Sequence, residues 1–237
     1  MRKTHKRKTK RLKQKTKRLK RTTRRLKQKG GSAEKFIRAC EEGNLREAQY
    51  YFNKIPASLR STYISAEAFR PFRLACKNGH LDIAQWLLQV KSNIDIFARN
   101  NEPFIDACKN GHLNVAQWLY QKSIENHQPM DISLNDDYAF REACSNGHLD
   151  VAQWLLQTGQ TIDITSRNDE AFIRACFNRH LDVAQWLSSL KPEYEIRDEN
   201  SEDWSCKVLT DPKDIKWNKK KKLVFLASQP REQGTDN

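Results

Sequence analysis

Several things are missing from this sequence, and each absence excludes a class. No apolar run approaches the ~18–20 residues that cross a bilayer, so a membrane-spanning chain is not expected. The basic N-terminus is followed by no apolar stretch of the kind a secretory signal carries, so an intracellular, reducing compartment is expected and the six cysteines are expected to be reduced thiols. There is no phosphate-cradling Gly loop, nucleophile motif or cofactor fingerprint, so neither an enzyme nor a cofactor is expected. The paired acids Glu41-Glu42 and Asp136-Asp137 have no His, Ser or Lys placed with them in a motif, and read as solvated turn or helix-end charge. The first 29 residues contain no acid and no aromatic residue, which excludes base stacking as a source of affinity there.

What is present begins with charge. The chain has 43 Lys+Arg against 29 Asp+Glu, a net +14. Seventeen of those bases lie in residues 1–29: Arg2, Lys3, Lys6, Arg7, Lys8, Lys10, Arg11, Lys13, Lys15, Lys17, Arg18, Lys20, Arg21, Arg24, Arg25, Lys27 and Lys29. The rest of the chain is therefore at −3, so a uniformly basic DNA-binding domain is disfavoured. Leu12, Leu19 and Leu26 are seven apart, but the matching d positions are Lys15, Thr22 and Lys29, which no coiled-coil seam tolerates. Residues 1–31 read as a disordered polybasic tail ending in a Gly30-Gly31 hinge. A run of cations releases counterions from any polyanion, so DNA, RNA, anionic lipid or acidic protein would bind it without base readout; recognition as a nuclear or nucleolar address is the other reading. A merely solvating tail and a mitochondrial presequence are weaker alternatives.

The body is repetitive. Cys40, Cys76, Cys108, Cys144 and Cys176 recur in one sentence at intervals of 36, 32, 36 and 32. Ala143-Cys-Ser-Asn-Gly-His-Leu-Asp-Val-Ala-Gln-Trp-Leu155 and Ala75-Cys-Lys-Asn-Gly-His-Leu-Asp-Ile-Ala-Gln-Trp-Leu87 are the clearest copies, and residues 39–51 the most worn. Each unit predicts two short helices. Phe172, Ala175 and Cys176 share one face; Leu181, Ala184 and Leu187, widened by Val183 and Trp186, share another. The Asn-Gly-His between them marks a turn. Asn100, Asp136 and Asn168 recur between units and tolerate a left-handed backbone. One unit buries too little to stand alone, so the units must stack.

Asn-Gly-His-Leu-Asp-Val-Ala-Gln-Trp-Leu resembles the second-helix signature of ankyrin repeats, and the preceding Phe-x-x-Ala-Cys resembles the first helix. The resemblance covers roughly residues 32–197 and implies an all-α solenoid of about five helix-turn-helix units with short hairpin fingers, the first unit degenerate. The family's Thr-Pro-Leu-His opening is replaced by Glu102-Pro-Phe-Ile105, Tyr138-Ala-Phe-Arg141 and Glu170-Ala-Phe-Ile173, and its hairpin Gly by Asn or Asp. The Ala-Cys-x-Asn-Gly-His wording with a Lys/Arg/Thr tail looks like ankyrin proteins of giant DNA viruses. By resemblance, partners lie on a concave face of finger tips and first helices. Arg99, Asn101, Lys109, Asn135, Asp137, Ser145, Arg167, Asp169 and Phe177 vary there between repeats while the core positions do not, and are the expected partner-binding residues; ordinary surface drift is the plainer reading of that variation.

Two patterns invite other chemistry. Cys-x₃-His at Cys76/His80, Cys108/His112, Cys144/His148 and Cys176/His180 suggests zinc. The Cys, however, sits on an apolar helix face and the His in a turn, so stacked repeats give ladders rather than tetrahedra, and no metal is expected. Trp86, Trp118, Trp154 and Trp186 share one phase and read as packing between second helices rather than an exposed stripe. Residues 198–237 break the repeat. Ser201 to Leu209, with Trp204 and Val208 four apart, predicts a short helix capping the last repeat. Lys219–Lys222 is a second basic cluster, and Leu223–Ala227 reads as a packed strand or docking peptide.

These features point to a monomeric, non-catalytic protein-binding module, with a tail that associates with nucleic acid or addresses the chain to the nucleus or nucleolus; without such an address it would be cytoplasmic. The main alternative is a sequence-independent nucleic-acid-packaging protein with the repeats as spacer. A ubiquitin-ligase substrate adaptor is a minor one.

Overall fold

The computed structural model describes residues 31–191, 193–199, 203–208, 213–218 and 221–227, with backbone alone beyond Tyr194. The tail expectations for residues 1–30, and the second basic cluster in part, lie outside the described residues. Gly31, expected in a hinge, is already helical. Helices come in pairs: α1 (residues 31–42) with α2 (Leu45–Lys54), α3 (Ala57–Lys77) with α4 (Leu81–Val90), α5 (Ala98–Lys109) with α6 (Leu113–Glu125), α7 (Leu134–Ser145) with α8 (Leu149–Gln157), and α9 (Ser166–Phe177) with α10 (Leu181–Leu190). The chain divides into two compact units after Pro103, within α5.

The sequence columns become the core. Phe36 and Phe72 in the first unit, and Phe104, Phe140 and Phe172 in the second, are buried on the first helices beside the recurring Ala-Cys pairs. Ile83, Ala84 and Leu87, then Val115, Ala116 and Leu119, and their later counterparts, bury the second helices. The Trp residues pack between repeats as expected: Trp86 lies edge-on to Phe52 (5.3 Å between ring centroids) and Trp154 edge-on to Tyr120 (5.8 Å). Burial pushes the Cys40 thiol up to about 12, and the Cys108 and Cys144 thiols up as well. Cys176 departs from the all-reduced expectation and is disulfide-bonded.

First helices end where the sequence put the turn. The His80 and His148 amides donate to Ala75 O (2.9 Å) and Ala143 O (3.0 Å), while Gly79 and Gly147 N–H reach Cys76 O and Cys144 O (both 3.2 Å). This is a Schellman closure, with the glycine left-handed at C′. Gly147 has φ 80°, and a Cβ there would overlap the His180 ring of the next repeat. In the last repeat the same seat holds Arg179 at φ 66°.

The segments entering the first helices go further than expected. Asn100, Asp136 and Asn168 are left-handed as read, but each is the middle of three consecutive left-handed residues: Arg99–Asn101, Asn135–Asp137 and Arg167–Asp169. Glu67–Phe69 does the same in α3. Each triplet is one left-handed turn. The Asp137 and Asp169 amides close theirs by donating to Ser133 O and Thr165 O (both 2.9 Å), and the Asn101 amide by donating to Phe97 O (3.0 Å). Asn and Asp bear this conformation most cheaply among residues with a Cβ.

The C-terminal segment corrects one expectation. Residues 203–208 are a strand, not a capping helix: β1 (Tyr194–Glu199) pairs antiparallel with β2 (Asp203–Val208), from Tyr194↔Val208 to Glu199↔Asp203. Trp204, Cys206 and Val208 alternate with polar residues, as do Tyr194 and Ile196 opposite; this period of two outweighs a single i,i+4 pair. β3 (Lys213–Asn218) pairs antiparallel with β4 (Lys221–Ala227), so the Leu223–Ala227 run is a strand. The end of the last repeat is met by Tyr194, whose ring stacks on Phe172 at 4.1 Å and 7°.

Candidate protein-binding surface

In the first unit, the left-handed turn Glu67–Phe69 is held by Arg73 one turn along the helix. Its Nε donates to Ala68 O (3.0 Å) and its Nη2 to Glu67 O (3.1 Å). Its Nη1 lies 2.7 Å from Glu102 Oε2 on the following repeat, to which Arg99 also points at 3.7 Å. Arg99 is exposed, as the sequence reading needs, but Asn101 is buried.

The second unit repeats this bracket. Arg141 Nε donates to Asp136 O (2.7 Å), Nη2 to Asn135 O (3.0 Å), and Nη1 to Glu170 of the following repeat. Arg141 is only 4% exposed. Around it runs a chain of alternating charge across α5, α7 and α9. Lys109 Nζ meets Glu142 Oε2 at 2.6 Å; Glu142 Oε1 meets Arg174 Nη1 at 3.4 Å; Arg174 Nη2 meets Glu170 Oε1 at 2.5 Å. The hydrogen bond to Glu142 raises the Lys109 ammonium above its ordinary value. Arg167 Nε reaches Asp136 Oδ2 at 3.0 Å. Lys109, Asn135, Tyr138, Arg141, Glu142, Arg167, Glu170 and Arg174 line a hollow of about 520 Å³.

Of the expected partner-binding residues, Lys109, Asn135 and Arg167 are thus brought together on this hollow. Phe177 is exposed, but does not line it. Asp137 and Ser145 are buried and serve the fold. The Asp137 carboxylate accepts from Ser166 Oγ and from Asp163 N (3.3 Å), and Ser145 O accepts from Asn178 Nδ2 (2.5 Å). Asp169 accepts from Lys191 Nζ (2.9 Å) and from Tyr194 OH (2.5 Å); burial, and then this bond, push the Tyr194 phenol up. The sequence reading missed Tyr138, Arg141, Glu142, Glu170 and Arg174. A signal existed for two of them: Arg73 recurs as Arg141 and Glu102 as Glu170, each 68 positions on, which is the two-repeat period concealed in the alternating intervals.

Cys76 and Cys144 are buried in the helix face, and His80 leans on the preceding repeat with Nε2 3.0 Å from Glu41 O. Among the described residues, no helix is long and apolar enough to cross a membrane.

Paired helices closed by Schellman turns and joined through tight fingers define a helical repeat protein. Family comparison matches residues 36–130 to ankyrin repeats (three copies) and residues 140–187 to ankyrin repeats (many copies). The chain belongs to the ankyrin-repeat family, its repeats have the all-α ankyrin-repeat solenoid fold, and ankyrin repeats are protein–protein interaction modules. Comparison with curated proteins finds no match.

Proposed function

We propose that this is a non-catalytic adaptor in which the repeats select a protein partner and the polycationic segment 1–29 ties the assembly to nucleic acid or addresses it to the nucleus. The supporting observation is the hollow of the second unit, where charged and polar side chains gather on the first helices and fingers of successive ankyrin repeats. The partner-binding residues are Lys109, Asn135 and Arg167, joined by Tyr138 and Arg174; Arg99 and Phe177 are exposed candidates outside that hollow. The wording of the repeats favours a source among giant DNA viruses within this reading. The test is affinity capture with mass spectrometry on the whole chain and on a chain lacking residues 2–29. Protein partners retained without the tail support the module; loss of every partner with the tail refutes it.

A second reading has its own observation, seventeen bases and no acid in residues 1–29. On that reading the protein coats nucleic acid without base readout and the repeats are a spacer. Counterion release makes such binding fall steeply with salt. Weak salt dependence of DNA or RNA binding by the whole chain would contradict both this reading and the tail's role in the first.

A further inference from the structure

We propose that the hollow of the second unit is a receptor for an acidic side chain, an Asp or Glu carboxylate carried on an extended segment of the partner protein. This rests on the protein-binding reading above and names the chemistry the partner must bring.

The argument is one of charge balance. Lys109, Arg141, Arg167 and Arg174 line the hollow against only two carboxylates, Glu142 and Glu170. Arg141 is committed: it is nearly inaccessible, and its bonds hold the Asn135–Asp137 turn and Glu170. The other three keep much of their side chains exposed, 42% for Lys109, 58% for Arg167 and 49% for Arg174. Glu142 divides its two oxygens between Lys109 and Arg174, and Glu170 divides its own between Arg174 and Arg141. Three cations thus share two carboxylates. Among the described residues Arg167 is paired with Asp136, itself 62% exposed, in an ion pair that solvent screens heavily. A third carboxylate entering the hollow would collect charge-assisted hydrogen bonds from donors already held in place, with guanidinium planes suited to bidentate contact.

The occupants that the charge disfavours are as informative. The chain's own N-terminal segment, with seventeen bases, would be repelled by this wall. A phosphodiester backbone places a charge at every step, and would have to pass Glu142 and Glu170, which break the cationic wall into spots one carboxylate wide. The set is not repeated 68 positions earlier in the chain: Glu41, Leu74 and Asp106 stand where Lys109, Glu142 and Arg174 would be expected.

The test is photo-crosslinking on the full chain. The probe is a Gly/Ser peptide with three central Glu residues and a benzophenone beside them; a twin carries Gln in their place, and labelled residues are located by mass spectrometry. The basic tail acts as an internal reference, because it captures any acidic peptide. We expect the Glu probe to label both residues 1–29 and the segments around Tyr138 and Arg174, and the Gln twin to label neither. The double variant R167Q/R174Q should cut labelling of the hollow about tenfold and leave the tail signal unchanged. Arg167→Gln alone, at an exposed position remote from the core, should cut it about threefold and guards against a folding defect in the double variant. Labelling confined to the tail overturns the proposal, as does hollow labelling that survives the double variant. Equal labelling of the hollow by the Gln twin overturns the carboxylate preference while leaving the protein-binding reading standing. Displacement of the Glu probe from the hollow by an oligo-dT strand that then crosslinks there overturns it in favour of nucleic acid.

Discussion

Residues 67–102 and 135–170 hold the same device in different company. In each, an arginine on the first helix caps a left-handed turn through two backbone carbonyls and reaches a glutamate on the next repeat: Arg73 with Glu102, Arg141 with Glu170. Every non-Gly residue in such a turn stores about 1–2 kcal/mol, somewhat less for Asn and Asp. The bracket offsets that cost by donating to two carbonyls of the turn. In the first unit it stands nearly alone, with Arg73 11% and Glu102 29% exposed. In the second, Lys109, Glu142 and Arg174 have been added around it, and Arg141 and Glu170 are more buried, at 4% and 18%. The backbone device therefore belongs to the fold, and one copy of it carries three charged neighbours that the other lacks.

The sharpest way to break this comparison is to remove each arginine. Arg141→Met leaves two finger carbonyls and a partly buried glutamate short of a donor, and should cost about 3–5 kcal/mol. Arg73→Met, where solvent reaches Glu102 more readily, should cost about 1–3 kcal/mol. Urea unfolding read by circular dichroism gives both midpoints. Equal losses would mean that the extra charges around Arg141 contribute nothing to its environment.

The glycine turns sharpen the comparison from the other side, because there the two units should behave alike. Gly43 and Gly147 are both at φ 80°; a Cβ on the first would come within 2.5 Å of the His80 ring, and one on the second would meet His180. Alanine at either should cost about 2–4 kcal/mol, from left-handed strain and overpacking together. The converse is available at Arg179, left-handed at φ 66° where the other repeats have glycine. Arg179→Gly should stabilise by about 1 kcal/mol, seen as a higher melting temperature. A loss there would show that the Arg179 side chain makes a contact worth more than its backbone strain.

What the sequence could disclose follows from range. The Phe and Cys columns, the paired helices, the glycine turns and the left-handed tendency of Asn100, Asp136 and Asn168 are local or strictly periodic, so pattern suffices to read them. The full left-handed turn is not local: Asn135–Asp137 is held by Arg141, five to six residues ahead, and Arg141 looks like one more polar residue on a helix until its bonds are seen. Nor is burial of the finger residues. Asn101 and Asp137 vary between repeats as partner contacts would, yet each is buried, and Asp137 is held by Ser166 and the Asp163 amide. Glu142 and Arg174 carry no motif at all; they matter because two first helices bring them within 3.4 Å. The strand at Asp203–Val208 follows three alternating residues, Trp204, Cys206 and Val208, which outweigh the one i,i+4 pair that predicts a helix.

The smallest expected effect tests whether the cores of the two units are as alike as their turns. Cys40 belongs to the first unit, Cys108 and Cys144 to the second, and burial raises all three thiols. A raised thiol keeps its proton in the folded state while an unfolded one begins to lose it near pH 8.5. The unfolded chain then binds fewer protons, so stability is fully present below pH 8.5 and falls as pH rises; for Cys40 the loss continues towards about 12. The slope approaches about 1.4 kcal/mol per pH unit for each thiol once the unfolded form is fully ionised, so each shielded thiol should cost on the order of 1 kcal/mol between about pH 8.5 and 9.5. Urea midpoints at pH 7.5, 8.5 and 9.5 measure it, and Cys40→Ala and Cys144→Ala should each flatten the profile. A profile flat in the parent protein would mean that the thiols are shielded in neither unit; unequal flattening by the two variants would mean that the likeness of the two cores ends at their shape.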